Sequence, residues 1–562
     1  MKKRLLITGV AAALLSAAVS FSVSGNSSSG EPEAAAESQE ETNMGEAVNV
    51  KEEYEGSISR VSVHDPSIIK EQNTGTYYVF GSHLASAKSD DLVNWEQICK
   101  DYEDVSDNPI YGNLQENFAE SFRWAGFNDG DCVGGYAVWA PDVYWDDKYI
   151  WEDGSQGAYL MYYSASSSWK RSCIGLAVSK EIEGPYTYAA TMIYSGFSRE
   201  GGVDENSQID TKWDNDYLNL KELTALGSEN GGIDEVSEEW FSADGTYNHK
   251  YAPNAIDPTA VEDAEGNLYL VYGSWSGGLF ILEVDEETGL VIYPGVDSTD
   301  EESGNFTDRY YGTHIAGGKH QSGEGPFILY DEEAGYYYLY ETYGSLTADG
   351  GYNMRMFRSE NIYGPYVDAA GNNAADSGKV ENSKYGVKLM GNYQFDGQRG
   401  YKSAGHNSAL IDGDGQRYLI FHQRFNEGSE YHEVRVRQQY LNEDGWPCTA
   451  VYENRNEAIA NVEDAAVAGT YEYINHGKEN SPNMLETGTL ELKEDGSVSG
   501  AFEGTWSKAD SGKGYDYVTV AMDTGLEFKG IFYEQTDDTG EKVMTFSAIG
   551  SNNTCIWGSM VK

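Results

Sequence analysis

Positive charge is what this sequence has least of. Its 562 residues hold 38 Lys and Arg against 92 Asp and Glu, a formal net charge of −54. Such a surface repels phosphate backbones and anionic headgroups, which excludes nucleic acid and anionic membranes as partners and favours a neutral ligand over a polyanion. Long hydrophobic runs are missing too: no internal stretch of 18 apolar residues offers a membrane span. Cysteine is scarce. Cys99, Cys132, Cys173, Cys448 and Cys555 are odd in number, widely spaced and without a C-x-x-C pair, so a zinc site is excluded and the fold must rely on its core. Proline numbers only 12, and long amphipathic helical patterns are hard to find.

What the sequence does have is 64 Gly, 43 Tyr and 12 Trp, which suits many short aromatic strands joined by Gly and Asp turns. The N-terminus reads as a secretory signal over residues 1–25: Lys2-Lys3-Arg4, an apolar run from Leu5 to Val19, then small residues. Residues 26–55, rich in Ser, Glu, Ala and Gly, read as a disordered acidic linker. Secretion is the expectation, with no membrane association once the signal is removed.

Beyond the linker the sequence repeats. Five aromatic strands recur at Tyr77-Tyr78-Val79-Phe80, Tyr159 to Tyr163, Leu268 to Tyr272, Tyr336 to Tyr340 and Tyr418 to Phe421. Each follows a short motif, centred in turn on Asp65, Asp142, Asp257, Glu324 and His406-Asn407. The interval from Asp65 to Tyr77, from Asp257 to Tyr269 and from Glu324 to Tyr336 is 12 residues each time. Segments Ser179 to Tyr186 and Ser359 to Tyr366 agree at five of eight positions. Small repeated sheets that cannot bury both faces alone stack radially, so the reading is all-β: a five-bladed β-propeller over 56–458 with its motifs around one axis. Apparent insertions fall at 195–250 and 368–400. Residues 459–562 read as a small C-terminal β-barrel or sandwich, whose role is packing or sugar binding.

Asp65, Asp257 and Glu324 are the candidate catalytic residues. Inverting glycoside hydrolysis needs two carboxyl groups about 6.5–9.5 Å apart, one ionised and one protonated, and a third can raise the acid's pKa by repulsion. Trp139, in Trp139-Ala140-Pro141-Asp142, and Trp275 offer flat faces to sugar rings. Asn254 and Ser274 supply hydrogen bonds to hydroxyl groups, and Arg355 supplies a cation to orient a sugar or carboxylate. Asp142 completes this candidate substrate-binding set.

The ordered set His64-Asp65-Pro66, Trp139-Ala140-Pro141-Asp142, Asn254-Ala255-Ile256-Asp257-Pro258, Glu324-Gly325-Pro326 and Gly405-His406-Asn407-Ser408 resembles glycoside hydrolase family 43. Within it the chain is similar to the extracellular two-domain endo-α-1,5-L-arabinanases, over about residues 58–562. The resemblance implies that Asp65 is the general base, Glu324 the general acid and Asp257 the modulator of the acid's pKa. It also implies that His406 holds one ion near the axis, commonly calcium, with water completing the shell. The implied substrate is plant cell-wall arabinan or arabino-oligosaccharides, cut in endo mode with inversion by a monomer. The alternatives are an exo-acting α-L-arabinofuranosidase or β-xylosidase on the same propeller, and a non-catalytic carbohydrate-binding propeller.

Overall fold

The computed structural model describes residues 58–561 apart from 102–104, 127–136, 167–170, 204–208 and 380. The expected signal and acidic linker, and Cys132, lie outside the described residues. Cys99, Cys173, Cys448 and Cys555 are buried. Among the described residues no helix is long and apolar enough to cross a membrane.

The fold is all-β, a propeller-like arrangement of open antiparallel sheets followed by a closed barrel. Each repeat unit yields one sheet. In each, the motif leads into one strand, and the aromatic segment forms the next, as in Ser67–Lys70 against Tyr77–Phe80 and Glu324–Asp331 against Tyr336–Tyr343. Of the five-bladed propeller expected from the repeats, what stands is a propeller-like arrangement of unequal sheets: the first, second and fourth have four strands, the third seven and the fifth five. The third gains strands because residues 290–316 fold back onto Gly278–Asp285, and the fifth gains Tyr393–Gln394 ahead of Gly400–Ile411.

Side chains near the head of each first strand tie neighbouring sheets together. Ser67 Oγ on the first sheet donates to Asp142 on the second, and Asp142 Oδ2 accepts Ala260 N–H of the third at 2.7 Å. Asp257 of the third accepts Gly325 N–H of the fourth at 3.1 Å. Thr342 of the fourth accepts His406 N–H of the fifth at 2.9 Å, and Ser408 of the fifth donates to Pro66 O at 2.7 Å and accepts Ile68 N–H at 3.1 Å. The links thus run from the first sheet to the fifth and back to the first. At the far mouth of this ring, Ile68, Val143, Ala260, Phe327 and Leu410, one from each first strand, line a cavity of about 450 Å³.

The two similar octapeptides fold alike: Tyr186 Oη donates to Ile182 O at 3.0 Å, and Tyr366 Oη to Ile362 O at 2.9 Å. Of the insertions, 195–250 is anchored by Trp240, which is fully buried and donates from Nε1 to Asp308 at 2.7 Å. The terminal barrel closes through eight strands, from Gly469–Asn475 to Cys555–Met560. Trp557 and Ile531 of the barrel share one apolar cluster with Tyr338, Tyr393, Phe421 and Trp446 of the fourth and fifth sheets.

Asp142 is the most exacting of the ring contacts, because its buried carboxylate serves two sheets. Asp142→Ala leaves Ser67 Oγ and Ala260 N–H without their acceptor, and an unsatisfied buried donor costs about 1–3 kcal/mol. The variant is expected to unfold at lower urea concentration; an unchanged midpoint would contradict the staple.

Candidate active site

Each first strand has a residue with left-handed backbone at or near its head: Asp65 (φ 54°), Ala140 (φ 38°), Asp257 (φ 55°), Gly325 (φ 58°) and His406 (φ 44°). Four of these are not glycine. Asp and His tolerate this region better than most residues, and it still costs on the order of 1–3 kcal/mol, which the surrounding hydrogen bonds must over-determine. Register shifts accompany the turn at Trp139/Asp142, Glu324/Phe327 and Gly405/Ser408, re-aiming the side chains that precede the regular ladder. The repeat is therefore aligned on Asp65, Ala140, Asp257, Gly325 and His406. Glu324 sits one residue before the equivalent position and Asp142 two residues after it, which corrects the motif centres read from sequence.

Asp65 is buried among polar partners. Its Oδ2 accepts Ser82 Oγ–H at 2.6 Å and lies 2.9 Å from His64 Nδ1, while Oδ1 lies 3.1 Å from His406 Nδ1. Burial alone would raise its pKa. The charges and hydrogen bonds of His406 and His64 outweigh burial and hold the carboxyl well below its usual range. His406 answers in kind: burial disfavours its charge, yet Asp65, then Asp257 and Glu324, push it up to about 9. His422 stacks on His64 at 4.1 Å, accepts Asp65 N–H on Nδ1 at 3.3 Å and is driven well below its ordinary pKa by burial and by His64.

Glu324 behaves in the opposite way. Burial first, and the Asp257 charge second, raise it to about 8, while the Tyr352 phenol donating to Oε1 at 2.6 Å pulls it partly back. Asp257 rises to about 6, chiefly through burial, with His406 opposing and Asp65 adding to the shift. Its own N–H donates to Ser164 Oγ at 3.0 Å. One buried cluster thus contains a carboxyl held ionised and a carboxyl held protonated at neutral pH, with a third that feels both.

The substrate-binding set divides. Trp139 is half-buried opposite Ser164, beside Asp257, and Trp275 is half-buried with a buried indole N–H that has no partner among the described residues. Asn254 and Ser274 are buried and bonded to each other at 3.1 Å, and Asn254 Oδ1 also accepts Ser276 Oγ–H at 2.6 Å, so they brace the hairpin behind Trp275. Asp142 is committed to Ser67 and Ala260, and burial raises it to about 6. Arg355 is fully buried, and its donors go to Asn353 Oδ1 at 2.7 Å, Asn480 Oδ1 at 2.8 Å and the carbonyls of Ser383, Tyr385 and Lys478. No donor remains for a sugar; the cation serves the junction with the barrel.

Sequence reasoning missed Ser82, which links Asp65 to Ala140 N–H at 2.9 Å, and Tyr352. Gly405 held a signal for Tyr352: a Cβ there would fall 2.1 Å from the tyrosine Cδ1, so only glycine lets the ring pass to Glu324.

Among the described residues, the ligand atoms grouped closely enough to share an ion are those of His64, Asp65 and His422, within 4.8 Å of one another. His406, the expected calcium ligand, turns Nδ1 toward Asp65. Calcium takes about six to eight oxygens, whereas this set is one carboxylate and two imidazoles, a mixture suited to a borderline transition metal. The side chains here do not fit a protein-built calcium cage.

A carboxyl held ionised near one held protonated is the pairing that glycoside hydrolysis requires. The pattern of glycosyl hydrolases family 43 matches residues 54–247 and 234–447, and that of a GH43_C C-terminal lipocalin-like domain matches 451–558. The chain belongs to glycosyl hydrolases family 43. It is 38% identical to extracellular endo-alpha-(1->5)-L-arabinanase 2 of Bacillus subtilis (strain 168), over 89% of this chain and 93% of the relative. It is 36% identical to the extracellular endo-alpha-(1->5)-L-arabinanase of Thermotoga petrophila, over 89% and 94%. Among solved structures, the glycoside hydrolase family 43 YxiA protein from Bacillus licheniformis is similar with a TM-score of 0.72 and 38% identity, covering 90% of this chain and 99% of that one.

Because Asp65 is the leading opposite charge on His406, Asp65→Asn is expected to bring the His406 pKa down from about 9. Imidazole NMR across a pH titration checks this, and an unmoved midpoint would contradict the pairing.

Proposed function

We propose that this chain is an extracellular hydrolase that cleaves α-1,5-L-arabinofuranosidic bonds within arabinan, in endo mode and with inversion. Family membership and the names of its relatives support the substrate; the opposed protonation of Asp65 and Glu324 supports the mechanism. The reading takes the five open sheets as blades of one ring over 56–458 and the barrel as a separate domain over 459–562, supported by the sheet-to-sheet hydrogen bonds.

In this mechanism the ionised Asp65 takes a proton from water as its oxygen attacks the anomeric carbon. Glu324 gives its proton to the departing glycosidic oxygen on the opposite side. One displacement leaves Asp65 protonated and Glu324 ionised, and the product inverted. Asp257 keeps the acid loaded before each turnover, because a second negative charge beside Glu324 disfavours its ionisation. Trp139 and Trp275 act as platforms for arabinose rings along the cleft.

Activity requires Glu324 protonated and Asp65 ionised. As pH rises through about 8 the acid loses its proton and kcat/KM falls; below neutrality it holds until Asp65 itself is protonated, well under the ordinary carboxylate range. Glu324→Gln is expected to lower kcat on linear arabinan by roughly 10²–10⁴-fold, the usual share of a general acid. Early products should be mixed oligomers with inverted anomeric configuration by NMR. Arabinose alone from the first time point would contradict endo cleavage, and retained configuration would contradict single displacement.

A further inference from the structure

The barrel reaches the acid through one side chain. The segment between barrel strands Gly469–Asn475 and Gly488–Leu492 lies against the fourth sheet, held by Lys388 Nζ to Glu479 O at 2.7 Å, Asn392 Nδ2 to Pro482 O at 2.8 Å and Arg355 to Lys478 O. Gly351 is a glycine because of this approach: with φ +71°, a Cβ there would fall 2.9 Å from Ser481 C and 3.2 Å from Asn480 C. Asn480 stands beside this contact, and its amide is used at both ends.

On one end, Asn480 Oδ1 accepts Asn353 Nδ2 at 3.2 Å and Arg355 Nη2 at 2.8 Å. Asn353 Nδ2 also donates to Gly351 O at 2.8 Å, so the turn is braced on both sides of Tyr352, whose phenol donates to Glu324 Oε1 at 2.6 Å. On the other end, Asn480 Nδ2 donates to Asn382 Oδ1 at 3.3 Å, and Asn382 donates to Ser322 O, two residues before Glu324. The two arms meet at the same carboxyl. One fixes the backbone that carries it, and the other fixes the hydroxyl that orients it.

We propose that Asn480, in the C-terminal barrel, is a positioning residue for the general acid: its amide clamps the approach to Glu324 and the Tyr352 turn into one geometry. The inference rests on Glu324 being the acid. It gives the barrel a part in proton delivery, reached through packing and hydrogen bonds and without any barrel group entering the cleft. A misplacement of about 1 Å at a reacting group can cost on the order of 10²-fold in rate, so a brace two bonds away is mechanistically significant.

The test separates proton delivery from everything else by leaving group. Arabinan needs a proton on the departing oxygen, whereas a dinitrophenyl α-1,5-arabino-oligoside departs without one. In the full-length protein, Asn480→Ala is expected to lower kcat on linear arabinan by about 10–100-fold with KM within about twofold, while the rate on the dinitrophenyl substrate stays within about twofold. Tyr352→Phe, which leaves the barrel untouched, should show the same selective loss. Asn480→Asp keeps the acceptor for Asn353 and Arg355 but loses the donor to Asn382, and should fall between wild type and Asn480→Ala. Equal losses on both substrates, or no loss on arabinan, would overturn the proposal. Should Asn480→Ala not fold, the Asn480→Asp and Tyr352→Phe comparison decides the matter alone. Glu324→Gln is the control for the underlying reading. If it spares arabinan hydrolysis, the assignment of the acid fails; if it behaves as an acid knockout while the Asn480 variants lack leaving-group dependence, only the positioning role fails.

Discussion

Three carboxyl groups buried in one place repel one another, and the arrangement of this protein depends on how that repulsion is distributed. Two protonatable imidazoles, His64 and His406, lie beside Asp65 and stabilise its charge. Among the described residues no cation is in hydrogen-bond contact with Glu324. It receives the Tyr352 hydroxyl and feels Asp257, so burial and repulsion keep its proton on. The asymmetry is positional. His406 is placed next to Asp65 by a left-handed turn, and the one-residue offset of Glu324 from the equivalent turn position sets it apart from that pair.

The same turns carry the architecture. Each leads into the first strand of a sheet, and the hydrogen bonds at or just beyond it connect one sheet to the next. Backbone strain of this kind persists only where neighbours over-determine it, and here the neighbours are the adjacent motifs. Catalytic geometry and sheet assembly therefore share residues: Asp257 accepts Gly325 N–H across a sheet boundary while raising the pKa of the preceding Glu324. The barrel extends this logic outward, since Arg355 and Asn480 tie it to the strand that follows Tyr352.

Much of this was legible in the sequence because the repeat is carried by local chemistry. Tyr-rich strands, each following a short motif, pointed to the sheets, and the alternating tail pointed to the barrel. Asp65, Asp257, Glu324 and His406 were identified through their motifs and do gather in one cluster. The misses have physical causes. Arg355 reads as a free cation only until its distant acceptors at Lys478 and Asn480 are known, and long-range partners leave no trace in local pattern. Asn254 and Ser274 were read as sugar ligands from their polarity; the bond between them, 20 residues apart, was not visible. Glu324 was aligned one residue out of register because Gly325 satisfies the left-handed turn without a side chain to mark it. The unequal size of the sheets was not legible, since residues 290–316, which add strands to the third sheet, look like a loop in a sequence.

The account's central claim is that one carboxyl of the cluster stays protonated at neutral pH. Infrared difference spectroscopy between wild type and Glu324→Gln reads this directly from the C=O stretch of a protonated carboxyl. The stretch should be present at pH 7 in wild type, absent in the variant, and titrate away with a midpoint near 8. A Glu324 signal that disappears in the ordinary carboxylate range would contradict the account.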